Sequence, residues 1–361
     1  MKINLTDYDL TGFNQNEVLF CDIPAVIIFP EHIGVKFTQK TSIFRSSVWA
    51  KETGELLSAG LKKFVNFGEN PENFPVPLGV DGVQFVTKID GSLCIIDYVN
   101  GKVSMRTRGT ATYLSLENYI DFECCLIDSP KIVDWLKSHP NYSVLCEITT
   151  PAMRIILDYG NTPRFWLVAC INKADYSLMT QSELDKLAIE LGVNRPESYT
   201  FNTIEECLET VKTWDGKEGV CLYHGKDQQQ ITKIKAEIYL KLHRFKSEAS
   251  LDNTVELYVE YGCPTYNDFI STLTAQYDFE CMQMILPFAS KVLDAWKETQ
   301  KIINHMKEFV KENDGLIRKD FALKVISAWG NTNRASFLFT LKDKGELTVD
   351  QKKKLIFQSI R

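Results

Sequence analysis

Residues 88–108 read KIDGSLCIIDYVNGKVSMRTR, and this stretch predicts the best-defined local structure of the chain. Two runs rich in β-forming residues, 93–99 and 102–108, lie on either side of Asn100-Gly101. Asn-Gly between two such runs is the strongest short signal for a two-residue hairpin turn. The sequence therefore predicts an antiparallel hairpin that begins directly after residues 88–92.

The hairpin places two arginines relative to the lysine that precedes it. With a two-residue turn, counting back from the turn pairs Leu93 with Arg108. Because side chains alternate along a strand, Arg106 and Arg108 are predicted to share a face. Arg108 then returns to the neighbourhood of Ser92 and Lys88. We expect a cation beside Lys88.

Lys88 occupies a position suited to a covalent nucleophile. Lysine is protonated near neutral pH, and burial or nearby cations lower its pKa and make the amine nucleophilic. The candidate neighbouring cations are Arg106, Arg108, Lys233 and Lys235. Attack on the α-phosphate of a nucleotide would give a lysyl phosphoramidate and pyrophosphate, with phosphoryl charge neutralised by cations and a metal. The alternative is an exposed lysine before an Asp-Gly turn, and K-x-D-G alone has low specificity.

The composition limits the classes of function. The chain has 361 residues, 44% of them apolar and 24% charged, which is typical of a soluble protein of two domains. Its net charge of −6 means that a nucleic-acid partner needs a local basic groove. The N-terminus does not resemble a secretory signal, and no apolar run is long enough to cross a bilayer. The cysteines lack CxxC spacing, so reduced thiols in a cytoplasm are expected. The histidines lack zinc-like grouping, so no protein zinc site is expected.

The rest of the chain alternates predicted strands and helices up to about residue 250. Helices are predicted within 115–140 and 181–212, and a loop rich in proline and glycine covers 71–82. Strands are predicted at 44–50, 144–148, 165–171, 218–223 and 230–235. Beyond residue 250 helical spacing dominates. The sequence predicts an α+β domain over 1–248 and an all-α domain over 249–361.

Glu147 and Glu218 are the carboxylates with candidate roles. Glu147 interrupts an apolar strand, where an unpaired carboxylate is costly to bury, so it should meet a hydroxyl, a cation or a hydrated metal. A buried ion pair with Arg154 is an equally weighted alternative. Two separated carboxylates can hold the waters of a magnesium ion. Taken alone, Glu218 fits better as a surface residue at a strand start.

Further cations are candidate phosphate ligands. Lys233 and Lys235 are two residues apart in a predicted strand and therefore project from one face. Arg45, within the strand predicted over 44–50, and Lys63 add two positive charges. Each has low specificity alone, and solvated lysines at a sheet edge are the alternative for the pair.

In chain order, these residues resemble the motifs of the covalent nucleotidyltransferases, which comprise ATP-dependent DNA ligases, RNA ligases and GTP-dependent capping enzymes. The matching positions are Lys88-x-Asp90-Gly91, Arg106-x-Arg108-Gly109, Glu147, Glu218-Gly219 and Lys233-x-Lys235. More narrowly, the chain resembles the bacteriophage tRNA-repair RNA ligases of the RNA ligase 1 type. The supporting stretches are 63–71, 87–93, 151–157 and 233–243. The likeness runs from about residue 45 to 243 and fades after 253.

The resemblance implies a fold and a set of site residues. The implied fold is α+β: a nucleotidyltransferase (ATP-grasp-like ligase) domain of antiparallel sheets with flanking helices, then a smaller all-α C-terminal domain. Lys88 would accept AMP. The implied catalytic residues are Lys88, Glu147, Glu218, Lys233 and Lys235. The implied ATP ligands are Arg45, Lys63, Lys88, Asp90, Gly91, Arg108, Glu147, Val220, Lys233, Lys235 and Tyr239, with Val220 against the adenine.

The resemblance also implies metal ligands, and the chain departs from the family at three places. Glu147 and Glu218 would place the catalytic metal. A pair of acidic residues early in the family's C-terminal domain corresponds to Asn267-Asp268, where only Asp268 can ligate a metal as an acid. Ser46 replaces the usual glycine after Arg45, and Ile89 replaces a frequent acidic residue.

The implied activity is that of an enzyme, an ATP-dependent RNA ligase that joins a 5′-phosphate to a 3′-hydroxyl. The implied substrates are ATP and single-stranded RNA or cleaved tRNA. The implied cofactor is Mg²⁺, with Mn²⁺ as an alternative ion, and the implied location is the cytoplasm of a host cell. The next alternative is a DNA ligase or a capping guanylyltransferase. Those proteins usually continue into an OB-fold domain, whereas the corresponding part of this chain is predicted to be helical. A non-catalytic RNA-end-binding module is a further alternative. No membrane or obligate protein partner is indicated.

Overall fold

The computed structural model describes residues 1–32, 34–276, 279–330 and 333–360. The contacts divide the chain into two compact units, Met1–Lys241 and Leu242–Arg361. The first unit combines sheets with helices, and the second is helical. The α+β architecture with a helical C-terminal region is confirmed, whereas the predicted domain boundary after residue 248 stays a prediction.

The strands of the first unit form three sheets. In chain order they are β1 (Phe13–Phe20), β2 (Ile23–Pro30), β3 (Ser47–Ala50), β4 (Leu56–Ala59), β5 (Val65–Asn66), β6 (Gln84–Thr87), β7 (Ser92–Val99), β8 (Lys102–Arg106), β9 (Tyr142–Thr149), β10 (Arg164–Asn172), β11 (Ser177–Leu178), β12 (Ser198–Tyr199), β13 (Gly219–His224) and β14 (Gln230–Lys235). The strand orders are β1-β2-β3-β4, β11-β10-β9-β7-β8 and β12-β6-β13-β14-β5. Neighbouring strands are antiparallel except for β14 and β5, which are parallel.

Helices flank these sheets and make up the second unit. They are α1 (Tyr119–Ile127), α2 (Pro130–Ser138), α3 (Gln181–Leu191), α4 (Ile204–Lys212), α5 (Glu237–Glu248), α6 (Leu251–Glu260), α7 (Tyr266–Gln276), α8 (Phe279–Glu312), α9 (Arg318–Trp329), α10 (Asn333–Lys344) and α11 (Val349–Ile360). Among the described residues, no helix is both long enough and apolar enough to cross a membrane.

The central hairpin forms as predicted. Val99 pairs with Lys102 across a two-residue turn, and Asn100 and Gly101 have φ angles of 51° and 76°. Positive φ at both positions is the conformation that Asn-Gly favours. The ladder ends where β8 ends, at Arg106, so the predicted pairing of Leu93 with Arg108 is wrong.

The strand predicted over 44–50 is partly wrong. Only β3 is extended, and Thr41–Arg45 forms a 3₁₀ helix with Arg45 at its end. Residues 41 to 44 are all buried. The hydroxyl of Thr41 accepts a hydrogen bond from the backbone N–H of Thr38, and the hydroxyl of Ser42 donates to the carbonyl of Gln39. Such local side-chain bonds favour a turn over a strand.

The three sheets meet in one apolar core. Phe44 and Trp49 pack there with Ile95 of β7, Leu145 of β9 and Tyr223 of β13. Helices α1 to α3 cover the other face of the β7–β11 sheet, and α4 covers the other face of the β13 sheet. The polar residues described next lie on or beside β7, β9, β13 and β14.

Candidate active site

Lys88 lies between β6 and β7, at the junction of two sheets. Its backbone N–H donates to the carbonyl of Gly219 at 2.8 Å, which fixes the loop against β13. Its Nζ lies 2.7 Å from Oε2 of Glu218, and its side chain is 20% exposed. The lysine is therefore held inside the protein by a carboxylate rather than exposed at a strand end.

Glu218 bridges two lysines. It is 1% exposed, so the surface position that fitted it best from sequence alone is wrong. Oε1 lies 2.8 Å from Nζ of Lys235, opposite the contact to Lys88. Gly219 follows with a φ of 148°, and a Cβ there would lie 2.0 Å from the carbonyl oxygen of Ile234. Only glycine lets β14 approach closely enough for this bridge.

The surroundings of Lys88 oppose the predicted fall in its pKa. Burial acts to lower the pKa of Lys88, but the carboxylates of Glu218 and Glu147 outweigh it, so the pKa lies above the ordinary lysine value. The prediction that neighbouring cations lower it is wrong for the ligand-free protein. Lys88 rests as an ammonium ion and must lose a proton before it can attack.

Asp90 and Gly91 anchor the loop that carries the lysine. Asp90 is buried, and its Oδ2 accepts hydrogen bonds from the backbone N–H groups of Ile156 and Leu157 at 2.8 and 2.9 Å. Oδ1 accepts from the hydroxyl of Tyr239 at 2.7 Å. These three bonds occupy the carboxylate, which gives Asp90 a structural place in the site.

The absence of a side chain at Gly91 allows the loop to touch β9. A Cβ at this position would lie 2.4 Å from the carbonyl oxygen of Ile148 and 3.0 Å from Cγ of Glu147. The first distance is shorter than real Cβ contacts, and the second is tighter than most of them. The glycine therefore sets the spacing between Lys88 and Glu147.

Glu147 is partly buried in β9, the middle strand of its sheet. Burial raises the pKa of Glu147 to about 7; the cation of Lys88 opposes this rise, and the charge of Glu218 adds to it. Among the described residues, its carboxylate accepts no hydrogen bond. Arg154, the alternative partner expected for it, forms an ion pair with Asp158 at 3.1 Å. Glu147 is thus a carboxylate with free coordination capacity.

Arg45, Lys233 and Lys63 form a cluster of cations beside two aromatic rings. The guanidinium of Arg45 lies 4.6 Å and Nζ of Lys233 lies 5.4 Å from the ring centre of Phe64, and Nζ of Lys63 lies 5.4 Å from the ring centre of Phe37. Burial and the neighbouring Lys235 lower the pKa of Lys233 to about 8. Burial, with Arg45 nearby, also lowers the pKa of Lys63. Neighbouring positive charges depress lysine pKa values when no anion compensates them.

This cluster fits an anionic ligand. Nη1 of Arg45 is buried without a hydrogen-bond partner, and neither Lys233 nor Lys63 forms an ion pair within the part of the chain that is described. Burial and Arg108 lower the pKa of Arg45 to about 10. Phosphate oxygens would satisfy these donors and remove the mutual repulsion.

The carboxylates of the site also fit a divalent ion that is bound mainly by the phosphate oxygens of a substrate. Among the described residues, no three His, Cys, Asp or Glu side chains form a metal-binding group. Glu147 offers a carboxylate without a partner, whereas Glu218 already binds two lysines. Mg²⁺ is usually bound by one or two carboxylates together with water and phosphate oxygens.

Arg106 is not a phosphate ligand. It is fully buried, and its Nη1 and Nε donate to the hydroxyls of Ser46 and Ser58 at 2.8 and 2.7 Å. Ser46 in turn donates to the carbonyl of Arg108 at 2.8 Å. Ser46 therefore connects the backbone after Arg45 to the backbone of Arg108, which is an exposed residue.

The side chain of Val220 lies away from the lysine face. Val220 is fully buried in the core beneath α4, on the opposite side of β13 from Cys221, which pairs with Lys233. The structure does not bring its side chain to that face. Asp268 belongs to the second unit, where it accepts a hydrogen bond from the hydroxyl of Thr265 at 2.6 Å.

Sequence reasoning missed one member of the site and one buried carboxylate of the first unit. The hydroxyl of Tyr159 accepts a hydrogen bond from the backbone N–H of Asp90 at 3.0 Å, and no sequence pattern indicated it. Asp97 is buried and lies 3.5 Å from Nζ of Lys173. It interrupts an apolar strand as Glu147 does, so the same signal was available.

The sequence of this chain is similar to that of one viral protein. No family model matches the chain. A protein of Autographa californica nuclear polyhedrosis virus, named for polynucleotide kinase and RNA ligase activities, is 24% identical over 249 residues. The match covers 63% of this chain and 34% of that protein, so the aligned part spans about a third of the relative's length.

A solved structure of an RNA ligase shares the fold. An archaeal ATP-dependent RNA ligase has a TM-score of 0.50 at 14% identity, over 78% of this chain and 76% of that one. A variant of the Naegleria gruberi RNA ligase with ATP and Mn has a TM-score of 0.39 at 15% identity, over 45% of this chain and 51% of that one. The likeness to the archaeal protein shows a shared fold, as the sequence resemblance implied.

Proposed function

We propose that this protein is an ATP-dependent RNA ligase that joins 5′-phosphate and 3′-hydroxyl ends of single-stranded RNA through a lysyl-AMP intermediate at Lys88. The observation that carries the proposal is the buried bridge Lys88–Glu218–Lys235 beside cations that lack an anion. The cations would bind the phosphates of ATP, and Glu218 would accept the proton that Lys88 must lose before it attacks.

The first step would form lysyl-AMP. Lys88 must become a neutral amine, and Oε2 of Glu218, 2.7 Å away, is the group placed to hold the departing proton. Nζ then attacks the α-phosphorus of ATP, a P–N bond forms, and the bond to the β-phosphate oxygen breaks. Arg45, Lys63 and Lys233 would bind the phosphates and stabilise the pyrophosphate that leaves.

Two further steps would complete the joining. An oxygen of the RNA 5′-phosphate attacks the α-phosphorus, the P–N bond breaks, and the amine of Lys88 leaves and regains a proton. The 3′-hydroxyl then attacks the 5′-phosphate, AMP leaves, and the hydroxyl proton passes to solvent. A divalent ion, Mg²⁺ or Mn²⁺, would neutralise phosphate charge, with Glu147 as its protein contact.

RNA is favoured over DNA by the names of similar proteins and by the helical second unit. The viral relative is named for RNA ligase activity, and the archaeal structure is that of an RNA ligase. Helices α6 to α11 follow the lysine pair, whereas DNA ligases and capping enzymes usually continue into an OB-fold. As a finer proposal, the substrate is a cleaved tRNA of the kind that phage-type ligases repair, and the reaction takes place in the host cytoplasm.

A labelling experiment tests the adenylyl step. The protein is incubated with Mg²⁺ and ATP labelled at the α-phosphate, and the label is followed through denaturing electrophoresis. We expect a labelled band that pyrophosphate removes and that Lys88→Ala lacks. Lys212→Ala, an exposed lysine on α4, is the matched control and should label normally.

The RNA step is tested separately. A 5′-phosphorylated single-stranded oligonucleotide should acquire AMP and then become joined, whereas nicked duplex DNA should not. Absence of the protein label would exclude the lysyl-AMP proposal and favour a non-catalytic RNA-binding module. A labelled protein that seals only DNA would identify a DNA ligase.

A further inference from the structure

A cavity of about 280 Å³ lies next to the cation cluster of the site. Its lining includes Lys62, Lys63, Phe64 and Phe74, together with the side chain of Gln230. Phe64 forms part of the wall, and the same ring lies against Arg45 and Lys233. The cavity therefore borders the positions proposed to bind the ATP phosphates.

The lining has the mixed chemistry of a nucleotide site. No aspartate or glutamate is among its described lining residues, and neither lysine forms an ion pair in the described parts of the chain. Phe74 and Pro75 come from the loop over 71–82 and supply apolar surface beside the lysines. A phosphate group would need only the cations, whereas an aromatic wall with neighbouring amides suits an unpaired base.

The geometry of phosphoryl transfer tells which nucleotide belongs there. Attacking and leaving groups lie roughly in line across the phosphorus. In the first step Lys88 attacks from one side and pyrophosphate leaves on the other. In the second step Lys88 is the leaving group, so the RNA 5′-phosphate must enter from the side that pyrophosphate vacated. The cations on that side border this cavity.

We propose that the cavity lined by Lys62 and Phe74 binds the 5′-terminal nucleotide of the RNA strand that receives AMP. Lys62 contacts its backbone phosphate, and Phe74 packs against its base. Burial lowers the pKa of Lys62, in keeping with a cation that has no anion in the free protein. This inference rests on the proposed ligase function and names the subsite for one of its substrates.

Lys62 and Phe74 should act in the second step and not in the first. Lysyl-AMP formation with labelled ATP and AMP transfer from the labelled protein to a 5′-phosphorylated single-stranded RNA are measured separately in single turnovers. We expect Lys62→Ala and Phe74→Ala to slow transfer about tenfold, the loss typical of one stacking or phosphate contact, and to change lysine labelling less than twofold. Lys62→Arg and Phe74→Tyr should restore transfer, and Lys212→Ala should behave as the wild type.

The outcomes separate this inference from the function on which it rests. If both alanine variants slow lysine labelling as much as transfer, the cavity serves ATP and the inference is wrong. If transfer stays at the wild-type rate, the cavity does not hold the RNA end. A wild-type protein that labels but transfers nothing to RNA overturns both the inference and the RNA ligase proposal, whereas loss confined to the variants leaves the proposed function intact.

Discussion

Glu147→Gln is expected to stabilise the folded protein at pH 8 and to have a much smaller effect at pH 5. The ordinary glutamate pKa of 4.5 rises to about 7 in the folded protein because the carboxyl group is buried. A raised carboxyl pKa means that ionisation is harder in the folded state than in the unfolded chain. Folding therefore loses stability as the pH rises from the unfolded pKa to the folded pKa, and the whole penalty is present above it.

The magnitude follows from the size of the shift. A difference of about 2.5 pKa units corresponds to about 3 kcal/mol of unfolding free energy at pH 8. At pH 5 the unfolded carboxyl group is only partly ionised, and the same relation gives about 1 kcal/mol. Glutamine has no charge, so Glu147→Gln removes this pH-dependent penalty.

Urea titrations of both proteins at pH 5 and pH 8, with EDTA present, measure the difference. Glu190→Gln, at an exposed position of α3, is the matched control and should change neither value by more than about 0.5 kcal/mol. The reasoning is refuted if Glu147→Gln is no more stable than the wild type at pH 8. It is equally refuted if the gain is the same at both pH values, because a charge-independent packing effect would then explain it.

Three further predictions concern the loop and the cations. Gly91→Ala should destabilise the fold by about 1–3 kcal/mol, seen as a lower urea midpoint, because its Cβ would collide with the carbonyl of Ile148; an unchanged midpoint would contradict the close approach. Tyr239→Phe removes a hydrogen bond to buried Asp90 and should cost about 1–3 kcal/mol while slowing lysine labelling. Lys233 has a pKa of about 8 and therefore loses its positive charge between pH 7 and pH 9. Affinity for a non-cleavable ATP analogue should fall over this range, and Lys233→Arg should flatten the fall. Equal slopes for the two proteins would exclude this lysine as the titrating group.

Local patterns were sufficient for the central hairpin and for several other strands and helices. Asn100-Gly101 specifies its turn through its own backbone preferences, and the flanking strands follow with period two. Arg45 shows the limit of such patterns. Its segment reads as a strand, but local hydrogen bonds of Thr41 and Ser42 hold the residues before it in a helical turn.

The position of Arg106 could not be predicted from nearby residues. A buried guanidinium needs acceptors, and these are Ser46 and Ser58, about 50 to 60 residues earlier in the chain. Val220 shows the same limit, because the register between β13 and β14 decides its face. Val220 pairs with Ile234 and Cys221 pairs with Lys233, so the valine points into the core.

The most direct test of the central claim is to locate AMP on the protein. After incubation with ATP and Mg²⁺, the wild-type protein is digested at alkaline pH, where a phosphoramidate survives, and its peptides are mapped by mass spectrometry. The account predicts one AMP, attached to Nζ of Lys88, and no AMP on Lys233 or Lys235. AMP on either of those lysines, or its complete absence from the protein that binds ATP, would contradict the account.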